Sequence, residues 1–395
     1  MRTSLAHLLV AASLAAPLAS AGAQKVVTLA KHDAEFTDPF TQLSSVRELK
    51  DGRVIVSDRR DKTVQLIDFK SGATTKVGRE GQGPGEYSLP ASLIALPGDT
   101  TAIYDPFNSR YLLVGPDGKT GKDFRMEETS AGGPGGGIRI GGAAPKGTDA
   151  RGRIYYEAPA FSISPDGPPR QADTAAVVRY DRATKKSDTV AWVHLPPTNI
   201  RVSGGRDNRN VMVMNNPFAP RDDWAVMPDG RVGVIRAADY HVDWYAPVGG
   251  RKAGPPMKLD RLPFSEADKE EYRKARRNAG GMTVRNENGV ITRGAATPAN
   301  IPDPEWPEYK APFPQNAAFA RPNGELWVAQ ARKASDKTPK YHVFDGQGKL
   351  LGTIVLPEST RLVGFGNGTV YTVRIDDDDL QYLRRHPARD ALIAP

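Results

Sequence analysis

Residues 52–87 (GRVIVSDRRDKTVQLIDFKSGATTKVGREGQGPGEY) constrain what this chain can fold into more than any other stretch. They hold three short runs rich in β-branched and apolar residues: 53–57 (RVIVS), 63–68 (TVQLID) and 74–77 (TTKV). Polar turns separate the runs, and a Gly/Pro loop follows them. Short runs bounded by turn residues read as antiparallel strands joined in sequence. With residues 43–49 ahead of them, linked through Lys50-Asp51-Gly52, they form a unit of four strands.

The same unit recurs in weaker form to the end of the chain. The second comprises residues 91–96, 100–105 (TTAIYD), 110–114 (RYLLV) and 122–125. The third begins near 138–141 and continues with 153–157 (RIYYE), 175–181 (AAVVRYD) and 188–195. The fourth takes in 223–227, 231–236, 241–245 and 257–262; the fifth, 317–320, 325–330, 340–345 and 349–356. The sixth has 361–365, 369–375 and 380–384 and no outer strand of its own. Residues 25–30 (KVVTLA) are a spare strand, predicted to complete it. Closing a ring this way removes two raw sheet edges. The expected fold is all-β, a six-bladed β-propeller whose last blade is closed by the N-terminal strand. It forms a single domain over residues 24–395, with one helical insertion at 263–315 between units four and five. A content of 39 Gly and 33 Pro in 395 residues suits strands and turns better than helices.

The run DGRVIVSD (51–58) followed by VQLID (64–68) resembles the NHL and TolB-like class of six-bladed propellers. Residues 78–90 (GREGQGPGEYSLP) resemble a loop of bacterial exported proteins described only as six-bladed β-propeller proteins. The resemblance spans most of the chain after residue 23 and is strongest in the first unit. It implies a fold and an exported location, and it carries no assigned reaction.

Residues 1–23 have the form of a secretory signal. Arg2 is followed by an apolar segment at 5–18, and Ala21-Gly22-Ala23 fits a cleavage site before Gln24. Export to the periplasm or the extracellular space is therefore expected. No later stretch is long and apolar enough to span a bilayer. The chain has no cysteine, which excludes disulfide, thiolate-metal and Cys-nucleophile chemistry. The net charge of +8 is dispersed, with one dense basic cluster at 273–277 (RKARR). No nucleic-acid-binding motif accompanies it, so no nucleic-acid partner is expected.

Strand direction alternates within a blade. The short turns therefore fall on one face, and the long connections 78–90, 126–137, 158–173, 196–221 and 263–315 fall on the other. Long loops on a rigid scaffold carry function. The expected activity is non-catalytic binding of a protein, peptide or glycan on the long-loop face, by a monomer. Candidate ligand-binding residues at the channel mouth are Ser45, Arg139, Asp222, Asn316 and Arg361. Loop 196–221 adds Arg206, Arg209 and Arg221. Guanidinium groups would suit an anionic or sugar-like ligand through paired hydrogen bonds.

The alternative is a metal-dependent hydrolase or lactonase. Some propellers of related architecture hold a divalent ion at the channel mouth with Glu, Asn and Asp. No cofactor is expected here. Calcium at the acidic run 376–379 is the one candidate, and that run lacks the spacing of a calcium loop. His241 and His342 fall at matched third-strand positions, away from the axis, and read as packing residues. Ser265 with Asp268 three residues later is a capping box at the start of a helix. Gly280-Gly281 ends that helix, and the basic cluster lies in its last turns.

Overall fold

The computed structural model describes residues 25–126, 144–162, 170–203, 210–214, 216–278, 281–287, 290–296 and 303–388. Six sheets surround a central axis. Their innermost strands are Leu43–Glu48, Ser92–Leu96, Pro145–Thr148, Asp223–Val226, Ala318–Ala320 and Thr360–Gly366. Each sheet continues outward through antiparallel neighbours. The inner strands follow one another in chain order, and the sixth returns to the first. The protein is a six-bladed β-propeller.

The strand pattern explains why the blades stack. A second strand is covered on both faces, so it reads as a continuous apolar run rather than an alternating one. In blade one, Val54 and Val56 face blade six and join Tyr371 and Val373. Ile55 points the other way and joins Ile103 and Leu112 of blade two. Blade four repeats this, with Val232 and Val234 packed toward blade three and Ile235 toward blade five. The core is thus a series of layers between blades. Each fully buried Val, Ile or Leu contributes about 1.5–3 kcal/mol.

The short turns recur with one chemistry. Asp51 accepts the Arg53 N–H at 3.0 Å and its side chain at 2.7 Å. Asp229 does the same for Arg231 at 2.9 and 2.7 Å. The intervening Gly52 and Gly230 both have φ of +87°, a backbone setting that favours glycine.

Ring closure uses the N-terminal segment, but not the residues expected. Val26–Thr28 runs parallel to Leu350–Val355 as a fifth strand on blade five. Ala34–Glu35 is the segment that pairs with Gln381–Pro387 as the outer strand of blade six. Burial and charge account for the shift. Leu29 is buried between blades five and six, while Asp33 and Glu35 pair with Arg385 and Arg384.

Blade three also starts elsewhere than expected. Its inner strand is Pro145–Thr148, whereas the expected start at 138–141 lies outside the described residues, as does the signal-like segment 1–23. A side chain at Gly147 would meet Val226 of blade four at 2.6 Å.

The insertion is tied down at both ends. Helix Glu266–Asn278 carries the expected capping box: Ser265 N–H donates to Asp268 at 2.9 Å, and Asp268 N–H donates to Ser265 Oγ at 3.3 Å. Arg273 and Arg276 pair with Asp303. Trp306 packs among Phe218, Phe264 and Tyr272. The basic cluster therefore pins the returning strap. Loop 78–90 is held just as firmly. Arg110 Nη2 gathers the carbonyl oxygens of Gln82, Gly83 and Glu86 at 3.1, 3.1 and 2.9 Å. The buried Tyr87 hydroxyl bridges Val64 N–H and the Val77 carbonyl.

Candidate functional site

Among the described residues, the long-loop face has a cavity at the channel mouth and another between blades four and five; Ala311 lines both. The mouth pocket has a volume of about 330 Å³. It brings together three residues singled out in the sequence, Arg221, Asp222 and Asn316, with Lys146, Glu157 and Asp223. Only some of these groups are available. Asp222 accepts four hydrogen bonds, from His194 N–H and Nδ1, Arg236 and Ala237 N–H, at 2.7–3.0 Å. Burial would raise its carboxyl, but these donors hold it below the usual range. Its role is to join blade three to blade four.

Ser45 and Arg361 do not line this pocket. Ser45 Oγ accepts from Leu93 N–H at 3.1 Å, linking blades one and two. Arg361 donates to the Leu43 carbonyl at 2.9 Å and to Gln381 at 3.1 Å, linking blades six and one. Burial lowers its guanidinium pKa. Arg139, Arg206 and Arg209 lie outside the described residues.

The mouth contains a Glu, an Asp and an Asn, the donor types a divalent ion would need. Their chemistry does not fit one. Glu157 is paired with Arg221 and accepts from the Trp224 indole. Asp223 is paired with Lys146 and also accepts from Ala318 N–H at 2.9 Å. A cation would have to displace two ammonium or guanidinium groups. Among the described residues no three of His, Cys, Asp and Glu gather as a metal site. Asp376 in the acidic run is used by its own turn, accepting from Asp378 and Leu380 N–H.

The second cavity is larger, about 920 Å³. Its wall on blade four is the turn around residues 237–240, and its wall on blade five is residues 330–340. Residues 257–262, expected as the outer strand of blade four but following the observed strand Arg251–Ala253, and the strap 307–312 of the insertion supply most of the rest. Sequence order separates these segments, but backbone bonds fasten them. Lys310 N–H donates to Leu262 O at 2.8 Å, and Phe264 N–H to Glu308 O at 2.9 Å. Lys310 Nζ lies 2.6 Å from Asp268, which also accepts Ala334 N–H at 2.8 Å. Burial would raise the Asp268 carboxyl; the Lys310, Ser265 and Ala334 donors outweigh it and hold it at about 2.

His342 and Tyr240 form the floor. The Tyr240 hydroxyl and His342 Nδ1 are 2.6 Å apart, and both residues are buried. Burial depresses the imidazole to about 4, so it is neutral at ordinary pH. Expected as a packing histidine, His342 does pack, but it also lines the cavity. Its supposed counterpart His241 precedes the third strand Val242–Tyr245 and sits between Asp239 and Asp243 at 2.7 and 3.3 Å. At the rim, Asp260, Arg261, Glu308 and Lys333 form no ion pair among the described residues.

No protein-family model matches the sequence, and no curated protein matches it. Similar solved structures include a Bacteroides fragilis protein named only as exported (12% identity, 91% of this chain and 94% of that chain, TM-score 0.44). A gluconolactonase from Xanthomonas campestris is another (11% identity, 91% and 95%, TM-score 0.41). A third is the calcium-binding protein regucalcin from Agrobacterium tumefaciens (11% identity, 94% and 99%, TM-score 0.35). Identities and scores this low carry no functional assignment.

Proposed function

We propose that this protein is a non-catalytic binding propeller that holds its ligand on the long-loop face, in the cavity between blades four and five. The cavity carries this reading: at about 920 Å³ it lies within the roughly 300–1,000 Å³ of ligand sites. The insertion builds one side of it, which gives that long segment a purpose. The ligand is a protein, peptide or glycan. The protein works as a monomer outside the cytoplasm, in the periplasm or beyond it, in keeping with the form of residues 1–23. No helix of the described residues is long and apolar enough to cross a membrane.

Two observations favour binding over catalysis. The floor imidazole is held by a phenol rather than a carboxylate, and at about 4 it is too weak a base for proton transfer near neutral pH. The channel-mouth carboxylates, where a metal-dependent hydrolase would hold its ion, are already neutralised by Lys146 and Arg221. The test is a cavity-filling variant, Ala331→Trp, assayed against peptide and glycan libraries. The reading predicts that binding falls at least about tenfold while thermal stability holds. Undiminished binding by a folded variant would refute it.

A further inference from the structure

The Tyr240–His342 pair restricts what can reach the cavity floor. His342 Nδ1 is taken by Tyr240, and Nε2 has no protein partner among the described residues. A neutral imidazole nitrogen offers one hydrogen bond and no charge. The imidazole itself supplies no counter-charge to an ion seated against it, and the charged groups free of ion pairs among the described residues, Asp260, Arg261, Glu308 and Lys333, lie at the rim. The group that meets the floor is therefore uncharged and capable of hydrogen bonding. Around it the walls are mixed, with Met257, Leu259 and Pro312 beside Gln330, Thr338 and the ion-paired Lys310 and Lys340. The rim changes character again, presenting both signs of unpaired charge.

That sequence of surfaces fits a chain of amino acids better than a sugar. Pyranose rings are usually held against an open aromatic face. Here Tyr240 is only 3% exposed, and the exposed Tyr309 carries the Arg261 guanidinium over its ring at 5.5 Å. A wall that alternates apolar groups (Met257, Leu259, Pro312) with Gln330 and Thr338 suits side chains such as Ser, Thr, Asn or Gln between apolar neighbours. Asp260 and Glu308 with Arg261 and Lys333 suit flanking residues of either charge.

We infer that the cavity takes a short peptide segment, seating an uncharged hydrogen-bonding side chain at His342 Nε2 and placing charged flanking residues at the rim. The inference rests on the reading of this cavity as the binding site.

The experiment is a selection of short random peptides displayed on phage, alongside a glycan array, with the full mature chain as bait. Wild type should enrich peptides with an amide or hydroxyl residue between apolar ones. Their binding should fall at least about tenfold in Ala331→Trp and in His342→Leu. Because His342→Leu alters the core, a second variant leaves the floor intact: Asp260→Lys with Glu308→Lys should shift the selected flanking residues from basic to acidic. Glycan binding that Ala331→Trp abolishes would overturn the peptide inference and leave the cavity reading standing. Peptide binding indifferent to Ala331→Trp would overturn both. Failure of all peptides to bind would overturn the peptide inference.

Discussion

The Tyr240 hydroxyl lies 2.6 Å from His342 Nδ1, joining a turn of blade four to the third strand of blade five beneath the cavity between those blades. A buried polar pair of this kind is stable only while both members are present. Tyr240→Phe removes the hydroxyl and strands the ring nitrogen. It should destabilise the fold by about 1–3 kcal/mol, seen as a lower urea midpoint with an unchanged slope. An unaltered midpoint would mean the pair does not contribute.

The same pair sets a pH dependence. His342 falls from the ordinary 6.5 to about 4 in the folded chain. The unfolded chain therefore takes up a proton between pH 6.5 and 4 while the folded chain does not. Stability is full above pH 6.5, declines as pH falls toward 4, and is flat with respect to this group below that. The decline amounts to about 3 kcal/mol. His342→Gln, which cannot titrate, should flatten the profile over that window. A profile as steep as wild type would assign the loss to other groups.

Asp268 anchors the insertion through its cap bond to Ser265, its Lys310 pair and its bond from Ala334 N–H. Asp268→Ala removes all three. Helix Glu266–Asn278 and the strap beyond it should then exchange amide hydrogens far faster, with the inner blades unaffected. Loss of a cap alone costs about 1 kcal/mol, and the ammonium left without its partner adds to that. Unchanged exchange in the helix would count against the anchor.

The first eleven described residues, 25–35, cover two sheet edges, on Leu350–Val355 and on Gln381–Pro387. Removing residues 24–36 should expose both edges together with the apolar site of Leu29 and Phe36. The truncated protein should melt lower and elute as oligomers or aggregates from a sizing column. A monomer of wild-type stability would show that closure is dispensable.

Arg110→Lys tests the connector at 78–90. A lysine cannot fork toward the carbonyls of Gln82, Gly83 and Glu86 while also reaching Asp123. Limited proteolysis should then cut within 81–86 several times faster than in wild type; equal rates would contradict the clamp.

Blade one was fully legible because its strands, turns and Asp-Gly-Arg corner sit in one continuous stretch. The expected blade-three start at 138–141 lies outside the described residues; the inner strand seen is Pro145–Thr148, where a side chain at Gly147 would meet Val226. Residues 25–30 were rightly seen as a spare strand, but the salt bridges of Asp33 and Glu35 that decide its destination span more than 300 positions. Arg221, Asp222 and Asn316 do meet in one pocket. The larger cavity left no local signal, since its walls come from segments far apart in the sequence, among them residues 237–240, 257–262, 307–312 and 330–342.

Hydrogen–deuterium exchange with and without the tightest peptide from the library tests the central claim most directly. The binding cavity predicts slowed exchange at residues 237–240, 257–262, 307–312 and 330–342. Slowing confined to the channel mouth or to the short-turn face, with those segments unchanged, would contradict it.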